Sequence, residues 1–167
     1  MTLSRFVHDS PIGPLTVVTD GDTIVMINFP DVDGRVALQT KKALKDETVT
    51  DGRSHAGTAA ALDAYFTGDL HALDKLPIAP RGTNFEQSVW RELRRIPVGE
   101  TRSYGDVAKA IGRPTATRAV GRANGINPIP LVVPCHRVIG ADGSLTGFGG
   151  GLETKAWLLR HEGALLM

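Results

Sequence analysis

Two capping boxes and a glycine–proline turn between residues 83 and 125 constrain this chain more tightly than any other feature. Thr83 is followed three residues later by Glu86, and Ser103 by Asp106. In such a pair the hydroxyl accepts from the backbone N–H three residues on, while the acid reaches back to the N–H of the cap. After the first box Phe85, Val89, Leu93 and Ile96 fall on one helical face, and Pro97-Val98-Gly99-Glu100 ends the run. After the second, Val107, Ala108 and Ile111 give the inner face of a short helix stopping at Gly112. Pro114 is expected in the first turn of a third helix. Its inner stripe would be Ala116, Ala119, Val120 and Ala123, its outer face Thr115, Thr117, Arg118 and Arg122, and its end Gly125. Two short helices joined by Gly112-Arg113-Pro114 predict a helix-turn-helix whose second member presents hydroxyls and arginines, as a nucleic-acid-reading helix does. An αα-hairpin in an ordinary core has the same pattern.

Charge separates that region from the rest. The 167 residues carry a formal charge of +1. Residues 1–80 hold seven basic and eleven acidic side chains, and residues 81–167 hold twelve basic and seven acidic. Ten of the twelve cations are arginine, the side chain suited to forked phosphate contacts. A polyanion partner for the second half accounts for this asymmetry, and so does a solvated surface. The sign changes at Leu76-Pro77-Ile78-Ala79-Pro80-Arg81-Gly82, which reads as a linker. We expect an N-terminal α/β domain over 1–80 and a C-terminal domain over 81–167.

The first half reads as strands. Leu15-Thr16-Val17-Val18-Thr19 and Thr23-Ile24-Val25-Met26-Ile27-Asn28-Phe29 flank a glycine-containing turn and predict a hairpin. Residues 31–54 are polar and poorly patterned, open to a short helix or a mobile loop. Residues 59–66 read as a helix with Gly68 just past its end. A hydrophobic share of 41% excludes a disordered or fibrous chain. No apolar run approaches the roughly 20 residues of a membrane helix, and the first residues have no signal-peptide core.

The sole cysteine, Cys135, excludes an internal disulfide and any multi-cysteine zinc site, and suits a reducing cytoplasm. It closes the apolar run Asn127-Pro128-Ile129-Pro130-Leu131-Val132-Val133-Pro134 and precedes His136. A lone cysteine after such a run is commonly a packed core residue. The flanking Pro134 and Pro130 instead suggest a stiff strand that holds a sulfur in one place. Sequence neighbours rarely hydrogen-bond side chain to side chain, so His136 would reach Cys135 through a water. A third group would orient the imidazole, and Glu162 is the candidate.

Pro134-Cys135-His136-Arg137-Val138 resembles the active-site motif of the O6-alkylguanine-DNA alkyltransferase family. The likeness extends, in order, through Gly99-Glu100-Thr101-Arg102-Ser103-Tyr104, Arg118-Ala119-Val120-Gly121, Asn127-Pro128, Gly149-Gly150-Gly151 and His161-Glu162-Gly163. It covers residues 82–163, and Ser10-Pro11-Ile12-Gly13-Pro14-Leu15 resembles bacterial members more weakly.

The resemblance implies a ribonuclease-H-like α/β domain with an antiparallel sheet, followed by a mainly helical, winged-helix-like domain. It implies irreversible, once-only transfer of an alkyl group from O6-alkylguanine, and from O4-alkylthymine, in duplex DNA to Cys135 after the nucleotide is flipped out. His136 and Glu162 would relay the thiol proton, Tyr104 would donate to ring nitrogen N3, and Asn127 would brace the turn before the active-site strand. Arg118 would fill the vacated stack, with Thr115, Ala116, Thr117, Ala119, Gly121 and Arg122 along the minor groove. Pro130 and Phe148 would wall the alkyl group, the Gly149 N–H would face O6, and the Val138 backbone would meet the edge of the base.

Two departures are informative. Some relatives have tyrosine at Phe148, which here loses a hydroxyl but keeps the aromatic wall. Others hold structural zinc partly through N-terminal cysteines, absent here, and His8, His55 and His71 are scattered; we expect no metal and no cofactor. The expected partner is duplex DNA, with no membrane and no obligate protein partner, for a monomer whose clustering on DNA stays open. Two other classes compete: a lesion-binding module or regulator, which would lack the nucleophile, and a cysteine hydrolase, which would need an oxyanion hole and shows no nucleophile elbow.

Overall fold

The computed structural model describes residues 2–30, 44 and 47–165. The chain divides into two units, Met1–Arg81 and Gly82–Met167.

The first unit is built on a four-stranded sheet of order β3-β2-β1-β4, from β1 (Thr2–His8), β2 (Leu15–Asp20), β3 (Thr23–Asn28) and β4 (Thr48–Asp51). The first three form an antiparallel meander, and β4 pairs parallel to β1. The expected hairpin is β2–β3, turning at Gly21 with φ +62°. Its register shifts between Val18 and Thr19. Leu3, Val17, Val18, Ile24, Val25, Met26 and Ile27 are all buried. Adjacent residues of β2 and β3 are therefore covered on both faces, which explains runs of apolar residues without alternation.

Three expectations for this unit are corrected. Within 31–54, residues 48–51 are a strand rather than a helix or loop; only Val49 of β4 packs on the core, too little apolar pattern for a sequence reading. Residues 31–43 and 45–46 lie outside the described residues. The supposed linker is tied to the sheet: Ile24 N donates to Pro77 O at 2.9 Å, and Ala79 N to Ile24 O at 2.9 Å. Pro77 has no N–H to give but its carbonyl still accepts, so a proline-rich segment can border β3. Helix α1 (Ala56–Phe66) starts earlier than expected, because the His55 side chain accepts from Thr58 N and serves as its cap.

The second unit holds α2 (Asn84–Leu93), β5 (Arg102–Ser103), α3 (Tyr104–Ala110), α4 (Thr117–Gly125), a 3₁₀ turn at Cys135–Arg137, β6 (Val138–Ile139) and α5 (Leu152–His161). Both capping boxes form: Thr83 and Ser103 accept from Glu86 N and Asp106 N, and both acids return a bond to the cap N–H. Val89, Trp90 and Leu93 of α2, Val107 and Ala108 of α3, and Val120 and Ala123 of α4 make the core. Trp90 Nε1 donates to Ala123 O at 2.9 Å, satisfying its buried N–H.

Pro114 is not in a helix. Ala116 N donates to Arg113 O at 2.9 Å, closing a turn in which Pro114 holds the second position. The fixed φ of proline suits that position as well as a helix start. Helix α4 begins at Thr117 with Ala116 as an N-cap lacking a side-chain bond, so Thr115 and Ala116 precede it.

Candidate active site

Cys135 is delivered by a knot of turns rather than by the expected strand. Pro128, Pro130 and Pro134 lack the N–H groups a ladder needs. Asn127 organises the segment instead: its Oδ1 accepts from Ile129 N at 3.0 Å and its Nδ2 donates to Val133 O at 2.8 Å. Val133 N closes back on Ile129 O at 2.9 Å. Leu131 sits at φ +75°, a region that costs a branched side chain energy and persists only where the surroundings enforce it. Residues 127–138 are all buried.

Past the cysteine, β6 pairs parallel with β5, Arg102 opposite Val138 and Ser103 opposite Ile139. Tyr104 follows β5 directly and opens α3, so this short ladder fixes Tyr104 relative to the segment leaving Cys135. The Tyr104 hydroxyl shares a 2.6 Å hydrogen bond with Thr146 Oγ1. Its ring lies beside Gly121 of α4, where an added Cβ would stand 3.9 Å from Tyr104 Cδ1.

Beneath the turn is a buried ionic network. His136 Nε2 lies 2.9 Å from Glu162 Oε2, and neither side chain is exposed. Arg137 Nε donates to Glu162 Oε1 at 2.8 Å, its second terminal nitrogen to Oε2 at 3.0 Å, and Nη1 to Ile96 O at 2.7 Å. Burial pushes the Glu162 carboxyl up, but hydrogen bonds from His136 and Arg137 outweigh it and hold the group well below the usual carboxylate range. An ionised carboxylate only accepts, so His136 carries its proton on Nε2. Its Nδ1 is then a lone pair, buried and without a partner among the described residues. Burial also lowers the His136 pKa, so the ring stays neutral and able to take a proton.

The thiol is protonated at rest. Burial pushes Cys135 up to about 11, against the pull of the Asn127 side chain and the positive charge of Lys155. At neutral pH the thiolate fraction is on the order of one in 10⁴. This sulfur needs a base at the moment of attack.

Several site residues escaped the sequence reading. Arg137 belonged to the motif but had no assigned role. Lys155 is fully buried and donates to Val138 O at 2.6 Å and Thr146 O at 3.1 Å. Lys155, Leu158, Leu159 and Glu162 are all buried at helical spacing, a periodicity that points Lys155 inward. Thr146 carried no motif signal.

The other expected positions fall as follows. Pro130, Val138 and Phe148 are buried and Gly149 is exposed. In the Val138 backbone, expected at the base edge, the carbonyl accepts from Lys155 Nζ and keeps a second lone pair. Thr115, Thr117, Arg118 and Arg122 are exposed, with Ala116, Ala119 and Gly121 half-buried between them and the core. His8 pairs with Asp63, His55 with Thr58 and His71 with Asp74. Among the described residues no cluster of metal-ligating side chains occurs, and no helix is long and apolar enough to cross a membrane.

One unit thus holds a helix-turn-helix with exposed arginines, a buried cysteine and a histidine–carboxylate–arginine network, a combination that fits a DNA-associated cysteine transferase. Residues 84–164 match the DNA-binding domain of 6-O-methylguanine DNA methyltransferase, and residues 5–80 its ribonuclease-like domain. The methylated-DNA–protein-cysteine methyltransferase of Methanosarcina acetivorans is 44% identical over 160 residues, covering 95% of this chain and 97% of that one. The Mycobacterium tuberculosis protein of the same name is 47% identical over 154 residues, covering 92% and 88%. The crystal structure of Mycobacterium tuberculosis OGT in complex with DNA superposes with a TM-score of 0.79 at 42% identity, over 98% of this chain and 94% of that one. The chain belongs to the 6-O-methylguanine DNA methyltransferase family.

Proposed function

We propose that this protein repairs duplex DNA by transferring the alkyl group of O6-alkylguanine, and of O4-alkylthymine, to Cys135, once per molecule. The observation that carries this reading is a buried thiol followed in sequence by a neutral histidine whose Nδ1 has no partner among the described residues and whose Nε2–H is fixed by Glu162.

The lesion lies within the base stack, so the nucleotide must be swung out before sulfur can meet carbon. Thr117, Arg118 and Arg122 face solvent on α4, and Arg118 is the side chain that fills the vacated stack. Small residues at Ala116, Ala119 and Gly121 let the helix approach a minor groove, whose degenerate readout suits a search independent of sequence. Pro130 and Phe148 wall the alkyl group, and the backbones of Val138 and Gly149 meet the base.

The thiol proton then passes through a water to His136 Nδ1 while the sulfur attacks the alkyl carbon. A carbon–sulfur bond forms, the carbon–O6 bond breaks, and the electron pair leaves with guanine. Tyr104 donates to N3, so the departing base does not carry full negative charge. Glu162 stabilises the transient imidazolium, and Arg137 keeps Glu162 ionised and in place. Asn127 braces the turn and polarises the sulfur. The thioether has no facile leaving group and nothing beside it to cleave it, so the protein is consumed. The chemistry is assigned to residues 81–167, no metal or cofactor takes part, and a monomer in the reducing cytoplasm suits the solitary thiol.

The test is incubation with a duplex bearing one O6-methylguanine, followed by peptide mass measurement. Cys135→Ser should bind the duplex and transfer nothing, because a hydroxyl ionises far less readily than a thiol.

A further inference from the structure

The Tyr104 and Thr146 hydroxyls lie 2.6 Å apart, and the transfer chemistry above gives Thr146 no task. Its position is nevertheless heavily determined. The chain leaving β6 makes a tight turn in which Gly140 N donates to Ser144 O at 2.9 Å and Gly143 N to Gly140 O at 2.9 Å. Asp142 Oδ1 accepts from both Ser144 N and Ser144 Oγ, at 3.0 and 2.7 Å. A Cβ at Gly140 would stand 2.7 Å from Ser144 Oγ, so a larger residue there would have to displace the Ser144–Asp142 hydrogen bond. Lys155 Nζ then ties the two ends together, binding Val138 O before the turn and Thr146 O after it. Thr146 is thus anchored through its backbone, and its hydroxyl is presented to Tyr104.

We infer that Thr146 is a positioning residue for alkyl transfer: its hydroxyl donates to the Tyr104 oxygen, leaving the Tyr104 proton to point at the ring nitrogen of the departing base. The inference rests on the proposed role of Tyr104 as donor. Each hydroxyl has one proton and two lone pairs. If Tyr104 spends its proton on Thr146, none is left for the base; if Thr146 donates, Tyr104 is aimed and free to donate. A hydroxyl that accepts one bond also donates a second more strongly. The arrangement resembles an oriented donor held ready before substrate arrives, which avoids reorganisation during reaction.

The test compares single-turnover methyl transfer from an O6-methylguanine duplex by the parent, Thr146→Val, Thr146→Ser, Tyr104→Phe and the Thr146→Val/Tyr104→Phe double variant. DNA affinity and melting temperature are measured alongside. Thr146→Val should slow transfer about fivefold to tenfold, with Thr146→Ser restored to within about twofold of the parent. The double variant should be no slower than Tyr104→Phe alone, because Thr146 acts only through that hydroxyl. Thr146→Ala gives the same comparison should the valine variant melt early. Parent-rate transfer by Thr146→Val, with Tyr104→Phe impaired, overturns this inference alone. Full additivity in the double variant, or Thr146→Ser as slow as Thr146→Val, overturns it in favour of loop packing. Parent-rate transfer by Tyr104→Phe overturns the donor role of Tyr104 and this inference with it.

Discussion

His136 Nε2 and Glu162 Oε2 sit 2.9 Å apart with both side chains shut off from solvent. This pair sets the tautomer that leaves Nδ1 free, and its carboxylate also neutralises Arg137. One carboxyl therefore holds both the imidazole and the guanidinium of the second unit in place.

Glu162→Gln should be strongly destabilising. It leaves the Arg137 guanidinium buried without a counter-charge, which costs about 3 kcal/mol or more. Glu162 lies below its ordinary value of 4.5, so its stabilisation is fully present above that pH and is lost as the pH falls through the folded-state value. Urea unfolding of the parent should therefore weaken progressively below about pH 4.5, and the glutamine variant should show a flatter acid limb. Identical acid limbs would contradict the assigned ionic state.

The thiol should react poorly with a small alkylator at neutral pH. With Cys135 raised to about 11, iodoacetamide labelling should climb about tenfold per pH unit from pH 7 to pH 10. Repair of methylated duplex should depend on pH far less in that range if the proposed relay hands the thiol proton to His136. A labelling plateau below pH 8 would mean a preformed thiolate and no need for the relay.

Repair itself should fall on the acid side. The His136 pKa is lowered by burial, so the neutral ring persists below the usual histidine range and transfer should hold nearly level from pH 8 to pH 6.5. Loss of rate with a midpoint above pH 7, in single-turnover assays, would argue that another group supplies the base.

Arg118 is exposed at the start of α4. Arg118→Ala should slow repair in duplex DNA by tenfold or more, about 1.4 kcal/mol upward, while reaction with free O6-benzylguanine stays close to the parent. Equal losses on both substrates would remove the case for a stack-filling role.

The legible parts of this molecule were those where local chemistry decides structure. Both capping boxes satisfy orphan donors within three residues, and Gly112, at φ +75°, stops α3 where no side chain is welcome. The hairpin was legible from its apolar runs. The illegible parts depend on distant partners. Strand β4 exists because β1 offers it a parallel edge 46 residues away in sequence, as at Leu3–Val49 and Ser4–Thr50. Pro114 fits a turn as readily as a helix start, and only the Arg113–Ala116 bond decides. The apolar run before Cys135 suggested a strand, but Asn127 bonds and prolines fold it into turns. In the site, the motif carried Cys135 and His136 and the helix end carried Glu162. The spacing of Lys155 with Leu158, Leu159 and Glu162 marks it as inward-facing, but the carbonyls it binds, and the Tyr104 hydroxyl that meets Thr146, leave no mark on sequence pattern.

The decisive measurement is the mass of the peptide containing Cys135 after exposure to excess duplex carrying O6-methylguanine. The account predicts one added methyl per protein molecule, confined to Cys135, with the guanine restored and no second turnover. An unmodified Cys135 on a protein that still binds the lesion, or repair of many lesions by each molecule, would contradict it.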